Sequence, residues 1–398
     1  MAKAKKAAAG AGSIRLRSDG RWEGRITVGH DPLNGKQITR SVYAATQAEC
    51  RQKLTQIASD LDCHQYVPPT RYTVGQWLDV YLAEYAADLK FSTIATYRAM
   101  IENHLKPLVG GIKLTDFTPV QAQMFINRLS KPEKGKKPLA PKSVQLAQRI
   151  LSRAMNVAVR QGLLKSNPVT HSTLPKTPKT EVNPLADKQI RDFLKLCDSA
   201  DVYSRIFKVL LFTGMRISEC LGLTWDDVDF QRNTLKISKQ LVYRKPENGG
   251  YVYTDTKSGK PRLLTVPPFV IDVLREQKEA QILERFAAGE AWQGWQSAKE
   301  AETAPVFTRE DGSFVNRGTV YFVYKRRIAQ IAPESTVHDL RHTYACLALQ
   351  NEDSVKTVQL ALGHSTAAFT LDIYGHVSEK MRQESANRMQ RYIQSAIG

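Results

Sequence analysis

His338-Asp339-Leu340-Arg341-His342, Leu362-Gly363-His364-Ser365 and Asp372-Ile373-Tyr374-Gly375-His376 follow one another in the C-terminal part of the chain, and their reading decides the rest. In the first, a spacing of three sets His338 and Arg341 on one face of a helix. Upstream, Thr213-Gly214-Met215-Arg216-Ile217-Ser218-Glu219 closes an apolar helical run, IFKVLLF, with a glycine. Arg216 then falls in the following turn or helix start, and Glu219, three residues on, is placed to orient it. Between these, Thr256-Lys257-Ser258-Gly259-Lys260 reads as a hairpin turn whose lysine tip reaches into a cleft. Taken singly, each residue has an ordinary structural role. A tyrosine near a C-terminal helix packs, and an arginine makes a surface ion pair.

One metal-based alternative follows from spacing. His338 and His342 are four apart, as in the HExxH zinc motif, with His364 as a third ligand. Position 339 is Asp where that motif places its general-base Glu, and Arg341 in the same turn repels a cation. The spacing therefore argues against a zinc hydrolase, and no metal or other cofactor is expected.

Working outward, residues 234–267 interrupt a mostly helical region with four strand-like runs (235–238, 241–243, 251–254 and 262–266) and a turn at Asn248-Gly249-Gly250. A Pro- and Lys-rich linker, 167–184, precedes this region. Before it, apolar residues recur at helical spacing over 74–89, 93–105, 119–129 and 143–160, with Ser92 and Thr118 placed to cap the second and third helices. The loop KPEKGKKP (131–138) brings Lys136 and Lys137, and Lys142, Arg149, Arg153 and Arg160 add charge along the last helix. A basic bundle of this kind suits a DNA clamp but is by itself weak evidence for one.

Residues 13–42 alternate as three short strands around the turns Ser18-Asp19-Gly20 and Asp31-Pro32-Leu33-Asn34-Gly35, predicting a three-stranded antiparallel sheet. Thr46 and Glu49 form a capping-box pattern that opens a helix to about Asp62. Arg15, Arg17, Arg21, Arg25 and Arg40 crowd this small sheet, with Arg21 and Arg25 on one face of their strand by parity. Residues 64–71, with Pro68-Pro69, read as a linker. Residues 1–12 read as a flexible basic tail rather than a signal peptide.

At 398 residues the chain exceeds one ordinary core. Lys and Arg number 57 against 39 Asp and Glu, a net +18 that favours a polyanionic partner, with nucleic acid ahead of an anionic membrane surface. The five cysteines are scattered without a CxxC pair, which fits a reducing cytoplasm and neither a disulfide framework nor a cysteine-built zinc site. No run of about eighteen apolar residues is present to span a membrane.

Arg216, Lys257, His338-x-x-Arg341, Gly363-His364 and Tyr374, in this order, resemble the active site of phage-integrase-type tyrosine recombinases across residues 184–395. TGMRISE, LRHTYA and LGHS are close to family wording. The bundle resembles the family's core-binding domain, and the N-terminal sheet plus helix resembles the arm-binding domain of integrases from conjugative transposons and temperate phages. The resemblance implies a multidomain, mainly α protein: arm-type DNA-binding domain (13–65), helical core-binding domain (71–168), and a mixed α+β catalytic domain (180–398) with a C-terminal tail helix. It implies a site-specific DNA recombinase that works through a 3′-phosphotyrosine and a Holliday junction on a synapse of four protomers. Duplex DNA with core and arm sites is then the partner, joined by an excisionase or a host DNA-bending protein.

The chemistry makes these residue types intelligible. Attack on a phosphodiester builds charge on the non-bridging oxygens, which Arg216 and Arg341 hold in fork geometry without a metal. His364 adds a hydrogen bond to the phosphate, Tyr374 is the nucleophile, and His338 assists removal of its proton. The resemblance places Lys257 as general acid, while Lys260 and Arg262 remain alternatives from spacing alone. The phosphotyrosine conserves the ester's energy, so rejoining needs no nucleotide. A catalytically silent regulator on this fold and a chromosome- or plasmid-dimer resolvase are the competing readings. The intact residue set argues against the first and the N-terminal module against the second.

Overall fold

The computed structural model describes residues 12–30, 36–62, 72–132, 137–177, 183–244, 250–257, 259–363 and 379–397. Outside them lie the basic tail but for Gly12, the turn at 31–35, the linker 64–71, Lys136, Asn248 and Gly249, and His364, Tyr374 and His376. The chain divides into two compact units, Met1–Lys179 and Thr180–Gly398.

The first unit opens with β1 (Ser13–Leu16), β2 (Trp22–His30) and β3 (Gln37–Ala44), an antiparallel sheet in that order. Gly20, at φ +77°, makes the first turn, which Arg17 and Arg21 close through a 2.9 Å backbone bond. Helix α1 (Gln47–Asp62) starts where the amide of Glu49 donates to Thr46 Oγ1 at 3.3 Å. It lies so close to the sheet that a Cβ on Gly24 would sit 2.8 Å from Leu54 and 2.9 Å from Cys50. Glycine is what lets helix and sheet meet there.

The register revises the reading of the arginines. Arg15 pairs across from Glu23, on the face opposite α1, and Arg25 follows on that same face. Arg40 pairs across from Ile26 and so falls on the α1 side. Strand β2 begins at Trp22, which leaves Arg21 in the turn. There it folds back on Asp19 through Nε and Nη2 at 3.2 and 2.9 Å. The five arginines therefore do not share one face.

Next comes a helical bundle. Helix α2 (Val74–Glu84) begins with a Thr73–Gln76 capping box. Helix α3 (Phe91–Met100) starts two residues earlier than Ser92 would set it, because the carbonyl of Lys90 takes the first helical amides, Thr93 and Ile94. Ser92 is thus inside the helix. The chain continues through a π turn, Ile101–Leu105, into α4 (Lys106–Val109), the amide of Lys106 reaching back to Ile101. Pro107 has no amide to give to residue 103, and its ring would crowd that carbonyl in a regular helix; the wider turn relieves both problems. Helices α5 (Pro119–Ser130) and α6 (Pro141–Arg160) complete the bundle, Thr118 capping α5 as expected. One side of α6 is buried from Val144 to Ala158, and its Ala154 carbonyl accepts from Trp77 Nε1 at 2.8 Å. The first part of the expected 167–184 linker lies along this bundle. Val169 is buried, and Gln145 donates to Thr177 Oγ1 at 2.7 Å.

In the second unit α7 (Asp187–Leu196) and α8 (Val202–Thr213) are followed by α9 (Ile217–Cys220) and five strands. These are β4 (Val228–Asp229), β5 (Thr234–Ile237), β6 (Lys239–Tyr243), β7 (Tyr251–Asp255) and β8 (Arg262–Thr265). Then come α10 (Pro268–Ala288), α11 (Ala298–Glu302), α12 (Arg317–Ile328), α13 (Val337–Gln350), α14 (Val355–Leu362) and α15 (Glu379–Ile397). Helix α8 forms the centre, buried along Ile206, Phe207, Val209, Leu210 and Leu211 and packed between α10 and α13. Phe193, Phe207 and Tyr324 meet edge to face or tilted at 5.4–5.9 Å.

The small sheet corrects the expected hairpin at Lys257. Strand β7 pairs with β6 and β8 pairs with β5, so β7 and β8 are not paired with each other. Only Ser238 separates β5 from β6, so Ile237↔Arg262 and Lys239↔Asp255 are adjacent steps on one partner edge. Residues 256–261 are therefore an excursion looped out between two strands that share one partner edge. Lys257 rides on it, with Thr256 buried at its base.

Candidate active site

Helix α8 ends at Gly214 in the left-handed conformation, φ +64°. Any side chain there would collide with Tyr344, 2.4 Å from an added Cβ, and with Leu362 at 2.8 Å. Arg216 stands at the start of α9, its amide bonded to Glu219 Oε2 at 3.0 Å and its Nη1 to Oε1 at 2.7 Å. Glu219 thus bonds Arg216 through both backbone and side chain.

Helix α13 brings the second pair. Thr336 and Asp339 form its capping box, which occupies the Asp339 carboxylate at 2.7 and 2.8 Å. Arg341 is buried, with Nη1 on the Gly214 carbonyl at 2.8 Å and Nη2 on that of Leu362 at 2.6 Å. The rings of His338 and His342 meet edge to face at 4.7 Å. Desolvation first, then the charges of His342 and Arg341, bring His338 down to about 4. His342 is also lowered, mainly by desolvation. A neutral His338 can accept a proton.

The carboxyl end of α14 is where these parts converge. Gly363 closes it at φ +63°. The carbonyl of Ala361 accepts from Arg262 Nε at 2.8 Å, Leu362 from Arg341, and Gly363 from Arg216 Nη2 at 3.5 Å. A helix end leaves such carbonyls without intrahelical donors and carries partial negative charge, so cations are favoured there. Glu219 adds a second tie, accepting from Arg262 Nη1 and Nη2 at 3.2 and 2.6 Å. Burial alone would raise its carboxyl, but the Arg262 hydrogen bond and the charges of Arg262 and Arg216 bring it down to about 2. Three guanidiniums against one carboxylate leave the cluster at +2. This is a prepared anion site, set immediately before His364 in the chain.

The structure thus brings together Arg216, Glu219, His338 and Arg341. Lys257 is exposed on its excursion, joined to the cluster through the strand that begins with Arg262. His364 and Tyr374 lie outside the described residues. Arg262 was legible in the sequence only as a neighbour of Lys257. Among the described residues no group of three or more His, Cys, Asp or Glu side chains is placed to hold a metal.

The basic candidates of the first unit are spread over two surfaces. On the sheet face away from α1, Arg15 and Arg25 flank Glu23, whose carboxylate lies 2.6 Å from Arg15 and 3.5 Å from Arg25. Arg17 stands over the Tyr43 ring at 5.3 Å. In the bundle Lys137, Lys142, Arg149 and Arg153 are exposed, the last three aligned with Arg160 along α6. Arg153 also donates to the Tyr97 hydroxyl at 3.0 Å.

The chain resembles known proteins along most of its length. The phage integrase family matches residues 183–381, and the phage integrase N-terminal SAM-like domain matches residues 73–130. A XerC-like tyrosine recombinase of Caldanaerobacter subterraneus is 27% identical over 92% of this chain and 94% of its own length. An integrase of Streptomyces ambofaciens is 26% identical over 89% of both chains. Among solved structures, the Tn1549 transposon integrase in complex with transposon right-end DNA superposes with a TM-score of 0.66 at 19% identity, over 80% of this chain and 99% of that one. A lambda integrase tetramer bound to a Holliday junction gives 0.55 at 18%, over 94% and 98%. These structural likenesses establish the fold: mainly helical, with small sheets. No helix among the described residues is long and apolar enough to cross a membrane.

Proposed function

The chain belongs to the phage integrase family of tyrosine recombinases, enzymes that cleave and rejoin DNA, and from that premise we propose that it integrates and excises a mobile element. Tyr374 attacks the backbone phosphate and leaves a 3′-phosphotyrosine. Arg216 and Arg341 hold the non-bridging oxygens as charge builds, and His364 adds a hydrogen bond. His338 takes the tyrosine proton, and Lys257 protonates the departing 5′-oxygen. Attack of a second strand's 5′-hydroxyl on the phosphotyrosine then rejoins DNA with no nucleotide cofactor, and a Holliday junction links the two rounds of exchange. The observation that carries this reading is the convergence of Arg216 and Arg341 on the end of α14, directly before His364.

Three domains divide the work in this proposal: residues 13–65 at arm sites, 71–168 at the core site, and 180–398 at the scissile phosphate. Four protomers act on two duplexes in the cytoplasm, with an excisionase or a DNA-bending host protein setting direction. Arg15, Arg17, Arg21, Arg25 and Arg40 serve the arm sites, the first four from the face and turn away from α1. Lys136, Lys137, Lys142, Arg149 and Arg153 serve the core. The tail helix α15 seats in a neighbouring protomer. In support, Met389, Tyr392, Ile393 and Ile397 are all exposed along it.

The test is a duplex carrying the element's end, nicked so that cleavage releases a short fragment and traps the intermediate. Full-length protein and its Tyr374→Phe variant are run on a denaturing gel after reaction in EDTA. A slow-migrating adduct with the parent protein alone is the expected result. Tight, specific binding without any adduct would instead mark a silent regulator.

A further inference from the structure

Beside Arg216 and Arg341 stands a third arginine, Arg262. Its three guanidinium nitrogens are all engaged: Nε by the Ala361 carbonyl at 2.8 Å, Nη1 and Nη2 by Glu219 at 3.2 and 2.6 Å. These bonds hold the guanidinium between Glu219 and the end of α14. Arg216, sharing the same carboxylate, is more open, at 22% side-chain exposure against 10% for Arg262. Arg262 also ends the looped-out excursion that carries Lys257, at the register step opposite Ile237. A Cβ on Gly363 would lie 3.1 Å from its Nη1, so the guanidinium fits directly beneath the turn that leads to His364. One side chain thereby ties together three segments that each deliver a different part of the site.

We propose that Arg262 is a positioning residue for DNA cleavage: it fixes Glu219, and through it Arg216, in register with the Lys257 excursion and the end of α14, and it raises the charge of the cluster from +1 to +2. The inference rests on the recombinase reading given above. The charge count gives the reason. Arg216 and Glu219 alone form a neutral pair, which offers little to a phosphate dianion in the making. With Arg262 beside them the trio carries +1, so Arg216 is oriented by a carboxylate without being cancelled by it.

The groups that face Glu219 are few. Arg216 and Cys220 come from α9 and Arg262 from β8, while Arg341 and His338 of α13 stand beyond Arg216. Burial pushes the Cys220 thiol up, so it stays neutral. Glu219, His338 and, beside it, His342 are thus the described groups of this cluster that can take up a proton in acid. Both histidines are present in every variant below, so their contribution is common to all. Without Arg262, buried Glu219 faces one cation rather than two and is protonated more readily.

Single-turnover cleavage of the nicked duplex is measured for parent, Arg262→Gln, Arg262→Lys, Glu219→Gln and the Arg262→Gln/Glu219→Gln double variant. The pH runs from about 5 to 9, and rates are normalised to the folded fraction from thermal unfolding. Arg262→Gln is expected to lose at least about tenfold at neutral pH, to keep core-site affinity, and to gain an acid limb that the parent lacks. Arg262→Lys recovers part of the rate, and the double variant loses the limb and is less impaired than the product of the singles. A normalised Arg262→Gln rate and pH profile identical to the parent's, or a loss that merely follows unfolding, overturns the proposal. Tyr374→Phe is run alongside. If the parent itself gives no Tyr374-dependent adduct, the recombinase reading fails and this inference with it; if the adduct forms and Arg262→Gln is indifferent, only the inference fails.

Discussion

Arg262 and Glu219, 43 residues apart in the chain, meet through two hydrogen bonds, and the carboxylate between Arg262 and Arg216 is almost wholly buried. Its folded-state pKa of about 2 lies below the ordinary 4.5, so the stabilisation is present above about 4.5 and lost as pH falls toward 2. At neutral pH the shift corresponds to something on the order of 3 kcal/mol. Urea unfolding of parent and Glu219→Gln should therefore show a stability gap at pH 7 that narrows below about pH 4.5. A gap independent of pH would mean that the carboxylate's charge is not what matters.

Gly214→Ala and Gly363→Ala test two turns of similar backbone but different surroundings. Both have positive φ, which costs a side chain roughly 1 kcal/mol or more. At Gly214 the added Cβ also meets Tyr344 at 2.4 Å and Leu362 at 2.8 Å, whereas at Gly363 the nearest atom is the Arg262 guanidinium at 3.1 Å. Thermal unfolding should find Gly214→Ala the more destabilised by at least about 1–2 kcal/mol. Equal losses would show that φ alone sets the cost.

The imidazole of His338 is expected to titrate near 4 instead of 6.5, because desolvation and then His342 and Arg341 disfavour its cation. The unfolded chain binds the proton first, so this residue's contribution to stability rises with pH between about 4 and 6.5. Following the imidazole nitrogens by NMR from pH 7 to about 3.5 checks this directly. A midpoint at or above 6.5 would remove the argument that His338 is a neutral acceptor at working pH.

Removing residues 384–398 should leave core-site binding by a single protomer unchanged while weakening synapsis and coupled cleavage, because Met389, Tyr392, Ile393 and Ile397 are exposed in the isolated chain. Native gels with two core-site duplexes, scored beside the covalent adduct, report both. Unaltered synapsis and cleavage after truncation would sink the tail's proposed role.

Much of this was legible in local sequence. Thr118 and Thr46 announced helix starts because a cap is a bond over three residues, and Gly214 announced a helix end for the same short-range reason. Glu219 could be read as the partner of Arg216 because they share one turn. Its second partner could not, since Arg262 arrives from another strand. The Lys257 turn looked like a hairpin because two β-prone runs flanked it. Only the pairing of both runs with the β5–β6 edge shows otherwise, and partner choice is a long-range property. The cap read at Ser92 lies two residues earlier, at Lys90, which has no side-chain cap of its own but still offers its carbonyl. The face of Arg40 was not legible, because parity along one strand says nothing about the register of the next.

Three arginines from three different segments end on consecutive carbonyls of one short helix. An enzyme that breaks chromosomes is dangerous while half made, on the ribosome or after partial melting. Here Arg216 and Arg341 are held by Glu219 and Gly214 as well, but it is at the end of α14 that they meet. Melting that one short helix would scatter the groups meant to grip a phosphate and leave the blade blunt.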